Sequence, residues 1–98
     1  MGENSVRVHV RYYNILRDIV GRGEEDLTIA RGTTLRSLLG GVIARKHPEA
    51  EAMLLLRSGE VSPYTRFFRN NRLVDEGNLA DPLEDGDEIL VFPAVGGG

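Results

Sequence analysis

Alternation of apolar and polar side chains near the N-terminus most constrains how this chain can fold. From Val6 to Tyr12 every second residue is a valine or, at the end, a tyrosine, with arginine or histidine between them. Because successive side chains of a β-strand point to opposite faces, this period of two predicts a half-buried strand. The chain has 98 residues, a length typical of one small domain, so the partners of this strand must lie further along the same chain.

The first strand is predicted to form a wide hairpin with a second one. Residues 15–20 favour a short helix, and Gly21 is suited to end it as the residue that follows the helix. Residues 26–29 then favour a strand with Leu27 and Ile29 on its inward face. The connection is too long for a two-residue turn, which makes the hairpin a wide one.

The clearest helix begins at Thr33 or Thr34, since either side chain can accept a hydrogen bond from a free backbone amide. His47-Pro48 ends it, because the residue before a proline avoids the α-helical region. Gly40-Gly41 lies in the middle and indicates either close packing of the helix on a sheet or a local break. Its apolar stripe has helical spacing and consists of Leu35, Leu38, Leu39, Val42 and Ile43.

The next part of the chain predicts a second, tighter hairpin. Within residues 49–63, residues 50–56 favour a short helix and a loop follows. Residues 65–69 read as a strand and residues 72–74 as the returning strand, with a turn at Asn70-Asn71, residues that tolerate positive φ.

The last strand completes the expected fold. Residues 85–87 favour a turn and residues 88–92 a strand that Pro93 ends, because proline has no amide to donate to a sheet. The order of elements predicts an α+β, β-grasp fold: a mixed sheet of four or five strands packed on one main helix, with the first and last strands as parallel neighbours. We assign residues 1–92 to this domain and residues 93–98 to a flexible C-terminal tail.

Composition excludes several kinds of site. The chain has no cysteine, which excludes disulfides, thiolate zinc sites and cysteine nucleophiles. Its two histidines, His9 and His47, are too isolated for a typical metal site, so we expect no metal. The sequence has no apolar stretch of membrane-spanning length and no apolar N-terminal signal segment, and we expect a cytoplasmic protein without a membrane partner.

Charge is distributed unevenly along the chain. Residues 1–72 carry 12 basic and 8 acidic side chains, whereas residues 73–98 carry 7 acidic side chains and no basic one. This is not the pattern of a uniformly basic nucleic-acid binder, and we expect no nucleic-acid partner. The acidic residues form either a solvated face or a surface that steers the chain toward a basic partner. They are Asp75, Glu76, Asp81, Glu84, Asp85, Asp87 and Glu88.

Three glycines, Gly96, Gly97 and Gly98, end the chain directly after the last predicted strand. Terminal glycines are often only disordered ends. In this position they also suit acyl transfer at the terminal carboxyl group, because residues without a Cβ can enter a narrow channel. A carboxylate is a poor electrophile, so this chemistry requires activation, most simply as an acyl adenylate made from ATP.

The C-terminal segment, LEDGDEILVFPAVGGG, resembles the ending L-x-D-G-D-E-V-x-F-F-P-P-V-x-G-G of the MoaD/ThiS ubiquitin-like sulfur carriers, closest to the MoaD family, the small subunit of molybdopterin synthase. The opening VHVRYYNILRD resembles the same family's first strand and its F-x-x-L-R-E helix start. The chain departs from the family pattern at Ala94, which replaces the second proline, and at Gly96. The register is unchanged, and Gly98 matches the family's terminal glycine.

The resemblance implies a sulfur carrier without an active site or permanently bound cofactor of its own. A ubiquitin-activating-type adenylyltransferase would use ATP to adenylate Gly98, and a persulfide donor would convert it to a thiocarboxylate. The large subunit of molybdopterin synthase would then use this sulfur to form the dithiolene of the molybdenum cofactor. One alternative is a ubiquitin-like modifier joined through Gly98 to lysines of target proteins. Another is sulfur delivery for tRNA thiolation or thiamine synthesis.

The last strand is apolar on both sides. If Ile89 and Val91 face the core, Leu90 and Phe92 face the other way, and that side is either buried in the domain or covered by a partner. The adjacent Phe67 and Phe68 cannot both point inward, so one packs in the core and the other meets either residues 49–63 or a partner. The resemblance implies that a set of apolar residues contacts the large subunit, namely Tyr13, Leu73, Phe92, Pro93 and Val95. Tyr13 is equally typical of a half-buried aromatic residue at a strand end, and Leu73 of a core residue of the hairpin.

Overall fold

A computed structural model describes residues 4–93, which form a five-stranded mixed sheet with helices on one side. The strands are β1 (Ser5–Tyr12), β2 (Glu24–Ala30), β3 (Thr65–Arg69), β4 (Arg72–Leu73) and β5 (Glu88–Pro93). Helix α1 is Ile15–Val20, and α2 consists of the consecutive segments Leu35–Ser37, Leu38–Ile43 and Ala44–Lys46. Helix α3 is Glu51–Leu54, and two 3-10 turns lie at Pro48–Ala50 and Glu76–Asn78.

The strand order is β2-β1-β5-β3-β4. Strand β1 is antiparallel to β2 and parallel to β5, while β3 is antiparallel to both β5 and β4. The first and last strands are therefore parallel neighbours in the middle of the sheet. This arrangement confirms the predicted β-grasp fold.

The core lies between the inward face of the sheet and α2. In β1, Val8 and Val10 are fully buried, as are Ile89 and Val91 in β5. The apolar stripe of α2 covers them, with Leu35, Leu38, Leu39 and Ile43 at most 1% exposed. Burial of these aliphatic side chains supplies the main favourable contribution to folding.

The structure of helix α2 shows whether Gly40-Gly41 marks close packing or a local break. Thr34 caps its start by accepting a hydrogen bond from the amide of Ser37, as predicted. Both glycines lie in its wider, π-helical segment Leu38–Ile43. A Cβ added at Gly40 would lie 3.6 Å from Leu55 Cδ1, so this glycine faces the chain that follows the helix. The helix thus widens locally without breaking, and a Cβ at Gly40 would make only an ordinary van der Waals contact, so close packing does not require glycine there.

The predicted element boundaries differ from the structure mainly after α2. In place of one helix over residues 50–56, a 3-10 turn at Pro48–Ala50 leads into the short α3. Strand β4 has only two residues, and β5 includes Pro93. The predicted positive φ at Asn70 and Asn71 is confirmed, with values of 50° and 71°.

A buried carboxylate joins the ends of three elements. The side chain of Glu25 in β2 is 1% exposed and accepts hydrogen bonds from the Tyr12 hydroxyl and from His47 Nε2 at 2.8 Å. The Lys46 ammonium lies 2.8 Å from its other oxygen. Burial, the largest effect, opposes ionisation, but Lys46, Tyr12 and His47 together outweigh it and lower the pKa of Glu25 to about 2.

Glu25→Gln is expected to destabilise the protein at neutral pH. Because the pKa of Glu25 lies below its usual value of 4.5, its ionised form stabilises the fold above pH 4.5, and this contribution disappears as pH falls toward 2. Lowering the pKa from 4.5 to about 2 corresponds to roughly 3–4 kcal/mol. Urea unfolding of wild type and variant should therefore differ by about that amount at pH 7 and much less at pH 2.5.

The exposed neighbour Glu24 offers a matched control on the same strand. Its side chain is 57% exposed, and Glu24→Gln should cost less than about 1 kcal/mol at either pH. An equal difference between wild type and Glu25→Gln at both pH values would contradict the assigned role of the carboxylate.

Candidate functional site

The side of the sheet opposite α2 carries an apolar patch around the end of β5. We call it the open face and define it by Tyr13, Phe68, Leu73, Leu90 and Phe92. Strand register places Phe68 opposite both Leu90 and Leu73, so these three side chains cross three strands in one row. The predicted alternation of β5 is confirmed, with Leu90 and Phe92 outward.

Three aromatic rings hold the centre of the open face. Phe92 stacks on Tyr13 with ring centroids 4.1 Å apart and an interplanar angle of 7°. Phe68 and Phe92 form a T-shaped pair, with centroids 5.5 Å apart and an interplanar angle of 82°. Aromatic contacts of this kind fix ring positions, so the patch is preformed.

The open face remains accessible to a partner. Leu73 is 52% exposed, and Tyr13, Phe68, Leu90 and Phe92 are partly buried. On the inward side of the same strand, Ile89 and Val91 are completely buried. The outward side of β5 is therefore only partly covered by residues 4–93.

Charged side chains border the open face. Arg66 lies opposite Phe92, and Arg11 lies opposite Leu90 with its guanidinium carbon 6.0 Å from the Tyr13 ring centroid. Arg11 also lies 3.8 Å from Glu88 and 3.9 Å from Glu24. The patch thus has an apolar centre and a polar rim, the usual anatomy of a protein–protein interface.

His9 lies on the same side of the sheet, farther from the tail. Its Nδ1 is 2.8 Å from Asp26 and its Nε2 is 2.6 Å from Glu24. The hydrogen bond to Asp26, with that to Glu24, raises the pKa of His9 above its usual value against a smaller opposing effect of burial. The ring is therefore more readily charged, and it lies between two acidic side chains of β2.

One member of the predicted acidic surface has an internal role. Asp87 is 6% exposed, accepts a bond from Arg69 Nε at 2.9 Å and another from Asn70 at 2.9 Å, and receives the amide of Glu84 at 2.8 Å. Although burial acts in the opposite direction, the Glu84 amide, Asn70 and Arg69 lower its pKa. Asp87 thus joins the β3–β4 turn to the start of β5, and the solvated acidic surface is smaller than the sequence indicated.

The structure brings together only some of the predicted contact residues. Tyr13 and Phe92 touch directly, and Leu73 extends the patch through Phe68. Pro93 is buried and pairs with Thr65 on the inward side, so it is not part of the open face. Val95 and the terminal glycines Gly96, Gly97 and Gly98 lie outside the described residues.

Two charged residues that border this surface, Arg11 and Arg66, were missed by the sequence prediction of a contact site, because they join it only through cross-strand register. Alternation had already placed Leu90 on the outward side, and the structure shows that Phe68 rather than Phe67 faces outward. In residues 4–93 no group of three or more histidine, aspartate and glutamate side chains could hold a metal ion. Within the same range no helix is long and apolar enough to cross a membrane.

A family model described as the ThiS family matches residues 10–98. The chain belongs to the ThiS family. This confirms the resemblance to ubiquitin-like sulfur carriers that the opening and the ending of the sequence indicated.

The proteins similar to this chain are of different kinds. Small archaeal modifier protein 3 of Haloferax volcanii is 34% identical over 104 residues, covering 95% of this chain and all of that protein. The crystal structure of small archaeal modifier protein 1 from the same organism has a TM-score of 0.83 at 22% identity, covering 94% of this chain and 99% of that one, and shows the shared fold.

A third similarity is to a chain in a protein–protein complex. The complex contains subunits 1 and 2 of the molybdopterin-converting factor from Helicobacter pylori, and the match has 27% identity and a TM-score of 0.57. It covers 95% of this chain and all of the matched chain. Members of this fold are thus found both as modifiers and in complex with a partner protein.

Phe92→Ala is expected to reduce stability only modestly, because the ring is partly exposed and contacts mainly Tyr13 and Phe68. We expect a loss of about 1–2 kcal/mol. Phe67 on the adjacent strand β3 is a core residue with 4% exposure. Phe67→Ala should lower the free energy of unfolding by about 3–5 kcal/mol. Urea unfolding measures both, and equal losses would place Phe92 in the core rather than on an available surface.

Proposed function

We propose that this chain is a ubiquitin-like protein modifier, activated at Gly98 and joined through it to lysine side chains of other proteins. The similarity to small archaeal modifier protein 3 over nearly the whole length carries this proposal. The triple-glycine ending supports it, since it follows a core strand and lacks the side chains that would hinder entry into another protein's active site.

The chemistry needs two steps, neither of which requires an acid, base or metal from this chain. In the first, the Gly98 carboxylate attacks the α-phosphorus of ATP, and pyrophosphate leaves as the acyl adenylate forms. In the second, a lysine amine attacks the acyl carbon, loses a proton, and AMP leaves as an isopeptide bond forms. An adenylating partner enzyme supplies ATP and the catalytic groups.

The open face suits the docking that such activation requires. Its stacked rings, Tyr13 and Phe92, lie at the end of β5, directly before the tail begins. A partner bound there would hold the tail close to its own active site. Arg11 and Arg66 at the rim would give the contact polar specificity.

Self-conjugation is disfavoured by the position of Lys46, the single lysine in the sequence. Its ammonium is 2.8 Å from the buried Glu25 carboxylate, and this ion pair would have to break before the lysine could attack an acyl group. The acceptor lysines are therefore expected on other proteins.

Conjugation can be tested by tagging the chain at its N-terminus and isolating it from cells that contain its activating enzyme. Trypsin has no site after Arg72, so a conjugated target peptide should carry residues 73–98 as a branch on a lysine. Mass spectrometry should detect this branch for wild type and not for a variant lacking Gly98. If wild type yields only unmodified lysines while the adenylate forms, the modifier proposal is wrong.

A second candidate function is that of the small subunit of molybdopterin synthase. It is favoured by the similarity to the Helicobacter pylori complex and by an apolar face suited to a stable protein partner. In this role the outer sulfur of a donor persulfide would attack the acyl carbon of the Gly98 adenylate and displace AMP. A thiol would then cleave the resulting acyl disulfide, which leaves a thiocarboxylate on Gly98 and a disulfide between the thiol and the donor. The same carrier chemistry would serve tRNA thiolation or thiamine synthesis.

Thiocarboxylate formation changes the intact mass by about 16 Da, because sulfur replaces one oxygen. Incubation with the activating enzyme, ATP and a persulfide donor should produce this shift in wild type but not without Gly98. Phe92→Ala should weaken binding to the large synthase subunit by about 1–3 kcal/mol in calorimetry. If wild type is converted to the adenylate without the mass increase of about 16 Da, the carrier role is contradicted and the modifier role is not.

A further inference from the structure

Asn14 adopts a backbone conformation that asparagine rarely tolerates. It lies between β1 and α1 with φ 58° and ψ −142°, a region in which glycine is the favoured residue. It precedes helix α1, yet its side chain makes no capping hydrogen bond to that helix. The usual reason for an asparagine before a helix is therefore missing, and its side chain has another contact.

That contact is with the last described residue of β5. Asn14 Nδ2 donates to the Pro93 carbonyl at 3.4 Å, a long hydrogen bond between residues 79 positions apart. Pro93 is followed directly by the tail, so this bond lies at the base of the segment that ends in Gly98.

The Asn14 side chain takes the place of a backbone hydrogen bond in the parallel β1–β5 pairing. Backbone amides of β1 and of the next residue donate to carbonyls just before and within β5, from His9 to Asp87 at 2.9 Å and from Tyr13 to Val91 at 3.1 Å. The donor to Pro93 would then be Ile15, two residues further on. Ile15 is the first residue of α1, where the chain has turned away from the sheet, and the Asn14 amide reaches Pro93 instead.

We infer that Asn14 is a positioning residue that fixes the direction in which the C-terminal tail leaves the sheet. The inference rests on the proposed activation of Gly98. A tail of five residues reaches about 16 Å when extended, so a small change of direction at Pro93 displaces Gly98 by several ångströms. The bond thus increases the fraction of docked complexes in which the Gly98 carboxylate reaches ATP. The strained backbone is retained because a glycine would have no side chain to make this bond.

Asn14→Gly provides a test in which stability and activation should separate. Glycine accepts the observed φ and ψ, so the melting temperature should stay within about 4 °C of wild type or rise. Loss of the amide should lower kcat for adenylation, measured by ATP–pyrophosphate exchange with the activating enzyme, by about 5- to 10-fold. KM should change less than twofold, because the open face is intact.

Two further variants sharpen the comparison. Asn14→Asp keeps the shape of the side chain but presents a carboxylate that cannot donate to Pro93, and it should lower kcat as Asn14→Gly does. Asn71→Gly makes the same substitution at another positive φ, in the distant β3–β4 turn, and should leave kcat unchanged.

An NMR measurement tests the inference in the isolated protein, independently of any activation. The ¹⁵N heteronuclear NOE at Ala94 should be lower in Asn14→Gly than in wild type, because the neighbouring carbonyl loses its anchor. Equal NOE values and equal kcat would overturn the positioning role. Failure of wild type to be adenylated, together with a lower NOE in the variant, would instead reject the proposed function and leave Asn14 as the anchor of the tail.

Discussion

The structure depends on the parallel pairing of the first strand with the last. Strand β1 lies between β2 and β5, and β5 lies between β1 and β3, so the two ends of the chain form the centre of the sheet. Parallel pairing requires a long crossover, and here the crossover contains α2, which covers the inward faces of both strands. Val8, Val10, Ile89 and Val91 are buried because these two strands meet beneath that helix.

Central placement of β5 also determines the candidate site. The inward side of the strand is used entirely by the core, whereas its outward side presents Leu90 and Phe92 to whatever approaches the sheet. The same strand ends at Pro93 and continues into the glycine tail. The open face thus lies on the strand that leads into the glycine ending on which the proposed function depends.

Sequence patterns predicted most of the fold because they reflect local periodicity. The alternation from Val6 to Tyr12 and the helical stripe from Leu35 to Ile43 each specify an element and its buried face without reference to the rest of the chain. Contacts between strands are harder to predict from the sequence. Phe68 joins the open face because its register opposite Leu90 depends on the β3–β5 pairing, and no local pattern encodes that register. The buried Glu25 was also missed, since its cationic partner Lys46 is 21 positions away.

By itself, the sequence determined a small β-grasp chain and pointed to its terminal glycines as the candidate reactive group, because alternation, helical spacing and an ending without side chains are properties of short segments. Tertiary structure alone decided which side chains lie around the end of β5. The stacking of Tyr13 on Phe92 and the bond from Asn14 to Pro93 join residues about 79 positions apart. Such contacts arise only when the two ends of the chain pair in the sheet, and their geometry follows from that pairing.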